Sequence, residues 1–172
     1  MRFWFDLYTS YLKTFQLVYA LKKYEWSCLN KLQIGKYAEY FVKMEFTQHG
    51  FDVYSSEVDD RGIDFVVRKE PVSYYDVQVK SVRDRGYIFF PKCNFILRKN
   101  LFAAIVIFLE SQPPQIYLIP SEAWKKPDAL LRDREYVGKK SEPEWGVNIS
   151  KKNMLLLSKY AFEDVVKTLG GR

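Results

Sequence analysis

Histidine occurs once in this chain, at position 49, and cysteine only twice, at positions 28 and 93. With one histidine, a histidine-based catalytic triad and a multi-histidine metal centre are nearly excluded. The two cysteines lie far apart without metal-ligand spacing, so they provide neither a disulfide framework nor a zinc site. No apolar run is long enough to cross a bilayer, and the aromatic opening segment is interrupted by Arg2, Asp6, Lys13 and Lys22 and lacks a small-residue cleavage site. The expectation is a cytoplasmic protein with no stable membrane insertion and no small-molecule cofactor. Any hydrolytic chemistry must draw on carboxylates, lysine and a metal bound through oxygen.

What is present suits a folded domain. Of 172 residues, 48% are hydrophobic and 17% aromatic, enough for a core and too many for a chain disordered throughout. Lysine and arginine exceed aspartate and glutamate by 27 to 21, a net charge of +6. An excess of that size suits a polyanionic partner and equally suits ordinary solubility. Residues 1–30 differ in composition from the rest, and Leu7, Tyr11, Thr14, Phe15 and Val18 approximate helical spacing. We read 1–30 as an aromatic, helical arm outside the core and 31–172 as one α/β domain.

From Leu32 the pattern becomes regular. Ile34, Ala38, Phe41 and Val42 form one stripe and Gly50 is a stop signal, which predicts a helix over 33–48. Strands are predicted at FDVYSS, IDFVVRK, YYDVQVKSV, YIFFPK, LFAAIVIFLE, QIYLIP and WGVNIS, with turns at EVDDRG, EPVSY and RDRG. The β-branched Ile105, Val106 and Ile107 mark the continuous apolar run as a buried strand. SEAW predicts a short helix capped by Ser121, residues 125–145 a polar loop, and SKKNMLLLSKYAFEDVVKTL a single closing helix ended by Gly170 and Gly171. This order predicts an α/β fold with a mixed central sheet flanked by helices.

Polar residues interrupt the apolar strands at Asp64 in GIDFVV and at Gln78 and Lys80 in DVQVKS. Successive strand side chains point to opposite faces, so Gln78 and Lys80 share a face, and in a hairpin Asp64 sits beside them. Glu39 lies on the preceding helix at the edge of its apolar stripe. Such a constellation has a chemical purpose. Asp64, the Gln78 side-chain carbonyl and the Val79 main-chain carbonyl offer oxygen ligands to a hard divalent cation, Mg²⁺ or Mn²⁺. The Lys80 ammonium can orient water and stabilise charge on phosphate, and Glu39 can hold a metal-associated water or a second metal. Ordinary structural roles compete: an arginine partner for Asp64, a solvated face for Gln78 and Lys80, a salt bridge for Glu39. Glu45 competes with Glu39 for the inward role, and Asp76 shares the Gln78 face. Glu57, Asp59 and Asp60 read as a turn, and His49 as a helix-end residue. Arg83, Arg85, Lys92, Arg98 and Lys99 are candidates for phosphate contacts; Tyr87, Phe89 and Phe90 read as core.

Glu39, then Gly62-Ile63-Asp64, then Gln78-Val79-Lys80, on helix, strand and strand, resembles the core of the PD-(D/E)xK nuclease superfamily, which includes restriction endonucleases and archaeal Holliday-junction resolvases. The glutamine form of the last motif resembles Mrr-type restriction endonucleases and several bacterial nuclease-like families. The resemblance covers about Leu32 to Leu109. It implies a restriction-endonuclease-like fold with Asp64 and Gln78 as metal ligands, Lys80 as the catalytic lysine and Glu39 as the helix carboxylate. Two departures stand out: no proline precedes Asp64, and Gln78 replaces an acid, which removes a negative charge from the metal site. The implied function is a Mg²⁺-dependent endonuclease acting on DNA, as a homodimer if both strands are cut. The alternatives are a catalytically weak or inactive module of the same fold that binds nucleic acid or a protein, and an interaction protein working through its arm.

Overall fold

The computed structural model describes residues 10, 11, 13, 14, 23–55, 62–69 and 73–169. Most of the arm expected over 1–30, the turn at Glu57, Asp59 and Asp60, and the closing Gly170 and Gly171 lie outside the described residues.

Helix α1, Lys31–Gln48, starts at a capping box. The Asn30 side chain accepts from the Gln33 amide at 2.9 Å, and the Gln33 side chain accepts from the Asn30 amide at 2.8 Å, so two helix-end donors are satisfied. Its buried stripe is Ile34, Ala38, Val42 and Phe46, a four-residue spacing that keeps one face on the sheet. The stripe packs on a five-stranded sheet of order β1-β2-β3-β5-β6. Its strands are β1 Asp52–Ser55, β2 Phe65–Lys69, β3 Ser73–Arg83, β5 Leu101–Phe108 and β6 Gln115–Pro120. β1, β2 and β3 form an antiparallel meander, β5 pairs parallel to β3, and β6 pairs antiparallel to β5. This is the mixed central sheet flanked by helices that the sequence predicts.

The connection from β3 to β5 leaves that sheet. Strand β4, Gly86–Pro91, joins a second sheet of order β4-β8-β7, with β7 Leu131–Arg134 and β8 Glu144–Ile149. The small sheet covers the face of the large one opposite α1. All eight residues of β5 are buried for that reason. Phe102, Ala104, Val106 and Phe108 face the α1 side, and Leu101, Ala103, Ile105 and Ile107 face the small sheet with Phe90, Trp124 and Val147. A strand covered on both faces is a continuous apolar run.

Several local expectations are corrected. The stretch 125–145 is not all loop: it contains β7, in which the buried Leu131 stands opposite Val147 of β8. Ser121 does not cap the short turn that follows β6; it is buried, and its hydroxyl accepts from the Arg98 amide and donates to the Arg98 carbonyl. The closing helix is broken into α2, Met154–Ser158, and α3, Phe162–Val165, with short 3-10 turns on either side. At the break the Tyr160 carbonyl accepts from the Leu118 amide at 2.8 Å, and Ala161 bridges Tyr117. That pairing caps the open edge of β6. It also carries the chain around the sheet edge, so Leu157 packs on one face and Phe162 on the other. Tyr87 and Phe89, read as core, point outward at 37% and 53% exposure, and Phe90 alone of the three is buried.

The core also reaches back into the segment assigned to the arm. Trp26 is 3% exposed. Its indole N–H donates to the Gln112 carbonyl at 2.9 Å, and its ring meets Phe108 edge-on at 4.7 Å. Among the described residues no helix is long and apolar enough to cross a membrane.

Candidate active site

Glu39, Asp64 and Lys80, singled out in the sequence, meet at the N-terminal half of α1, where β2 begins and β3 passes. Asp64 immediately precedes β2. Its amide donates to the Val77 carbonyl at 3.0 Å, just before the first β2–β3 pair, Phe65 with Val77. Its carboxylate accepts from the Val79 amide at 2.5 Å. The backbone of β3 therefore holds the Asp64 carboxylate in place, and a hydrogen bond to a charged acceptor is among the stronger ones.

Glu39, Asp64, Val79 and Lys80 line one open cleft of about 840 Å³ between α1 and β3. Lys31, Lys36 and Arg83 line it too. Four cationic side chains thus face two carboxylates, and the walls favour an anionic ligand. Lys36 donates to Glu39 at 2.5 Å. That bond, then the charge of Glu39, raises the Lys36 pKa, with a smaller contribution from the Asp64 carboxylate.

Gln78 is placed differently. It is 6% exposed, between the buried Val77 and Val79, and does not line the cleft. Its amide nitrogen packs on Gly62: a Cβ at Gly62 would stand 3.0 Å from it, and Gly62 has φ +69°, where a side chain is strained. The Gln78 side-chain oxygen is buried with no hydrogen-bond partner among the described residues. A buried polar atom left in that state costs about 1–3 kcal/mol and calls for an explanation.

The other candidates separate. Asp76 is bound to Arg98 at 2.7 Å, which occupies both. Lys92 is held by Asp133 and Glu135 and sits 4.0 Å from the centre of the Trp145 ring. Arg85 pairs with its neighbour Asp84, and Lys99 is exposed beyond the cleft. Of the five basic candidates only Arg83 reaches the cleft. It also donates to the carbonyls of Trp26 and Leu29, tying the N-terminal turn to β3. The reason is topological: β4 leads the chain away from the motif into the second sheet. Glu45 lines a different cavity with Phe41, Gln115 and Glu163. His49 closes α1, with one ring nitrogen at the Glu45 carbonyl and the other at Glu163.

Sequence reasoning passed over Lys31 and Lys36. Lys36 carried a signal, its three-residue spacing from Glu39 on one helix face; Lys31 carried none. Among the described residues no group of three His, Cys, Asp or Glu side chains is arranged to hold a metal.

No protein-family model matches the chain, and no curated protein matches it. Among solved structures it is similar to Hjc, a Holliday junction resolvase from the archaeal hyperthermophile Archaeoglobus fulgidus, with a TM-score of 0.49 and 13% sequence identity over 77% of this chain and 95% of that one. A likeness of that degree assigns no residue and no reaction to this chain.

Proposed function

We propose that this chain is a metal-dependent nuclease that hydrolyses phosphodiester bonds in DNA, with the QxK form of the site. The observation that carries the reading is the meeting of Glu39, Asp64, Val79 and Lys80 in one cleft rimmed by further cations. The donor chemistry fits a hard divalent ion, Mg²⁺ or Mn²⁺, because every nearby ligand atom is oxygen. The buried, unpartnered oxygen of Gln78 supports the same fit, since a cation is a partner that the protein itself does not supply. Asp64, the Val79 carbonyl and Glu39, which line the cleft, would hold the ion, and Gln78, buried beside Gly62 outside the lining, would join them through its unpartnered oxygen. When bound, it supplies positive charge against the scissile phosphate and acidifies water.

The chain's own groups do the rest. Val79 orients the Asp64 carboxylate through its amide. Lys80 orients the attacking water and stabilises the charge that grows on the phosphate oxygens. Lys36 pairs with the Glu39 carboxylate at 2.5 Å and holds it along the cleft wall. Lys31 and Arg83 meet the flanking backbone phosphates. With Gln78 neutral, two carboxylates remain, and the ion is held more weakly than by three acids.

The test is an assay on linear, branched and single-stranded DNA with Mg²⁺ or Mn²⁺, with metal-induced thermal stabilisation read in parallel. The wild type is expected to cut. Lys80→Ala is expected to lose cutting and keep metal stabilisation; Asp64→Asn is expected to lose both. Undiminished cutting by Lys80→Ala refutes the assignment. Salt-sensitive DNA binding without cutting, equal with and without metal, makes the chain a binding module on this fold.

A further inference from the structure

The small sheet turns its outer face to solvent, on strands β4, β8 and β7 rather than on the α1 and β3 walls of the cleft. Register sets Phe89, Gly146 and Arg132 in one row across the three strands, and Pro91, Glu144 and Arg134 in the next. Phe89 is 53% exposed at the end of its row. Gly146 leaves room in the middle that the Tyr87 ring fills: a Cβ there would come within 1.9 Å of the phenol oxygen. The Arg134 guanidinium stacks over that ring at 4.7 Å and donates to the Tyr136 hydroxyl at 3.1 Å.

Charge on this face is sorted by strand alternation. Arg132 and Arg134 rise from the outer side of β7 and are exposed, whereas Asp133 and Glu135 turn to Lys92. Glu144, the acid in the outer rows, is buried and accepts from the Tyr87 hydroxyl at 2.7 Å and the Tyr136 hydroxyl at 3.0 Å. Tyr136 is held there at φ +50°, a conformation that costs a non-glycine residue energy and persists only where its surroundings impose it.

We propose that this face binds single-stranded nucleic acid, with unpaired bases stacking on Phe89 and on the plane of the Arg134 guanidinium, and backbone phosphates meeting Arg132. An exposed ring, a guanidinium already stacked on a tyrosine and a second exposed cation on one sheet face are the components of a stacking platform for unpaired bases. The positive balance of the face complements a phosphate backbone. A base pair inside a duplex keeps its π-faces covered, so the platform discriminates strands by pairing state.

The test is fluorescence anisotropy with a labelled oligo-dT of about 15 nucleotides and a duplex of equal length, both in EDTA, so that the result stands whether or not the cleft cuts DNA. Phe89 is exposed, and a matching urea midpoint confirms that Phe89→Ala still folds. Phe89→Ala is expected to weaken oligo-dT binding about five- to 150-fold and to leave duplex binding unchanged. Arg132→Ala is expected to weaken binding and lower the salt slope by about one. Leu155→Ala, 83% exposed on α2, is the neutral control. Equal affinity of wild type and Phe89→Ala, or no oligonucleotide binding at all, overturns the proposal. So does a concentration-dependent dimer that Phe89→Ala abolishes without any effect on oligo-dT, which would give the face to self-association.

Discussion

Replacing Gln78 by methionine separates stability from function at a single atom. The Gln78 oxygen is buried without a partner among the described residues, and an unmet buried acceptor costs about 1–3 kcal/mol. Methionine is of similar length and volume, is flexible enough to fill the same space beside Gly62, and brings no strong acceptor. In EDTA, Gln78→Met is therefore expected to be more stable than the wild type. A gain of about 1 kcal/mol raises the melting temperature by about 2–4 °C for a chain of this size. Divalent ion reverses the comparison. Metal at about ten times its dissociation constant stabilises the wild type by about 1.4 kcal/mol, and the variant, one ligand short, gains less. Thermal melts of both proteins in EDTA and across a Mg²⁺ series provide the four values required. A variant that melts lower in EDTA shows that the oxygen already has a partner. A variant that keeps the full Mg²⁺ gain shows that the oxygen is not a ligand.

Two further outcomes concern the packing. Trp26→Ala is expected to cost about 3–5 kcal/mol by urea denaturation, as for other buried aromatics, and a chain begun at Asn30 at least as much; Trp26→Phe keeps the ring contacts and exchanges the bond to the exposed Gln112 carbonyl for water, costing under about 1.5 kcal/mol. An unchanged midpoint in Trp26→Ala places that residue outside the core. Burial first, then the bond to Glu144, raises the Tyr87 pKa. The folded state thus holds this proton more tightly than the unfolded chain, whose tyrosines titrate near about pH 10. The resulting stability is complete below about pH 10 and is lost as pH climbs toward the folded value. Urea midpoints between about pH 8 and 11 are expected to fall more steeply for the wild type than for Tyr87→Phe; parallel curves rule out the Tyr87–Glu144 coupling.

The cleft was legible from the sequence because its parts follow local rules. Alternation put Asp64 and Lys80 out of step with the apolar residues of their strands, and the Ile34–Ala38–Val42 stripe put Glu39 at the margin of a sheet-facing helix. What alternation could not reveal is how each polar side chain ends. Gln78 and Lys80 share a face of β3, yet Lys80 borders the cleft and Gln78 is closed in against Gly62. Lys92 and Arg98 looked available because their acid partners, Asp133, Glu135 and Asp76, are distant in sequence.

By itself the sequence determined those elements whose cause is local: α1 through its cap and stripe, β5 through an unbroken apolar run, and the meander through short alternating strands. Tertiary structure decided which faces are covered and which strands are neighbours. β4 reads like any half-buried strand, and only pairing with β8 takes it into a second sheet and turns Phe89 outward. The last segment has a helical pattern throughout, but the open edge of β6 draws Tyr160 and Ala161 into pairing and breaks it. Trp26 belongs by composition to the arm and by contact to the core, because Phe108 and Gln112 come to it from far along the chain. The physical reason is the same in each case. Periodicity records that a strand or helix has two faces, whereas the burial of a face and the pairing of an edge depend on residues that are neighbours only once the chain has folded.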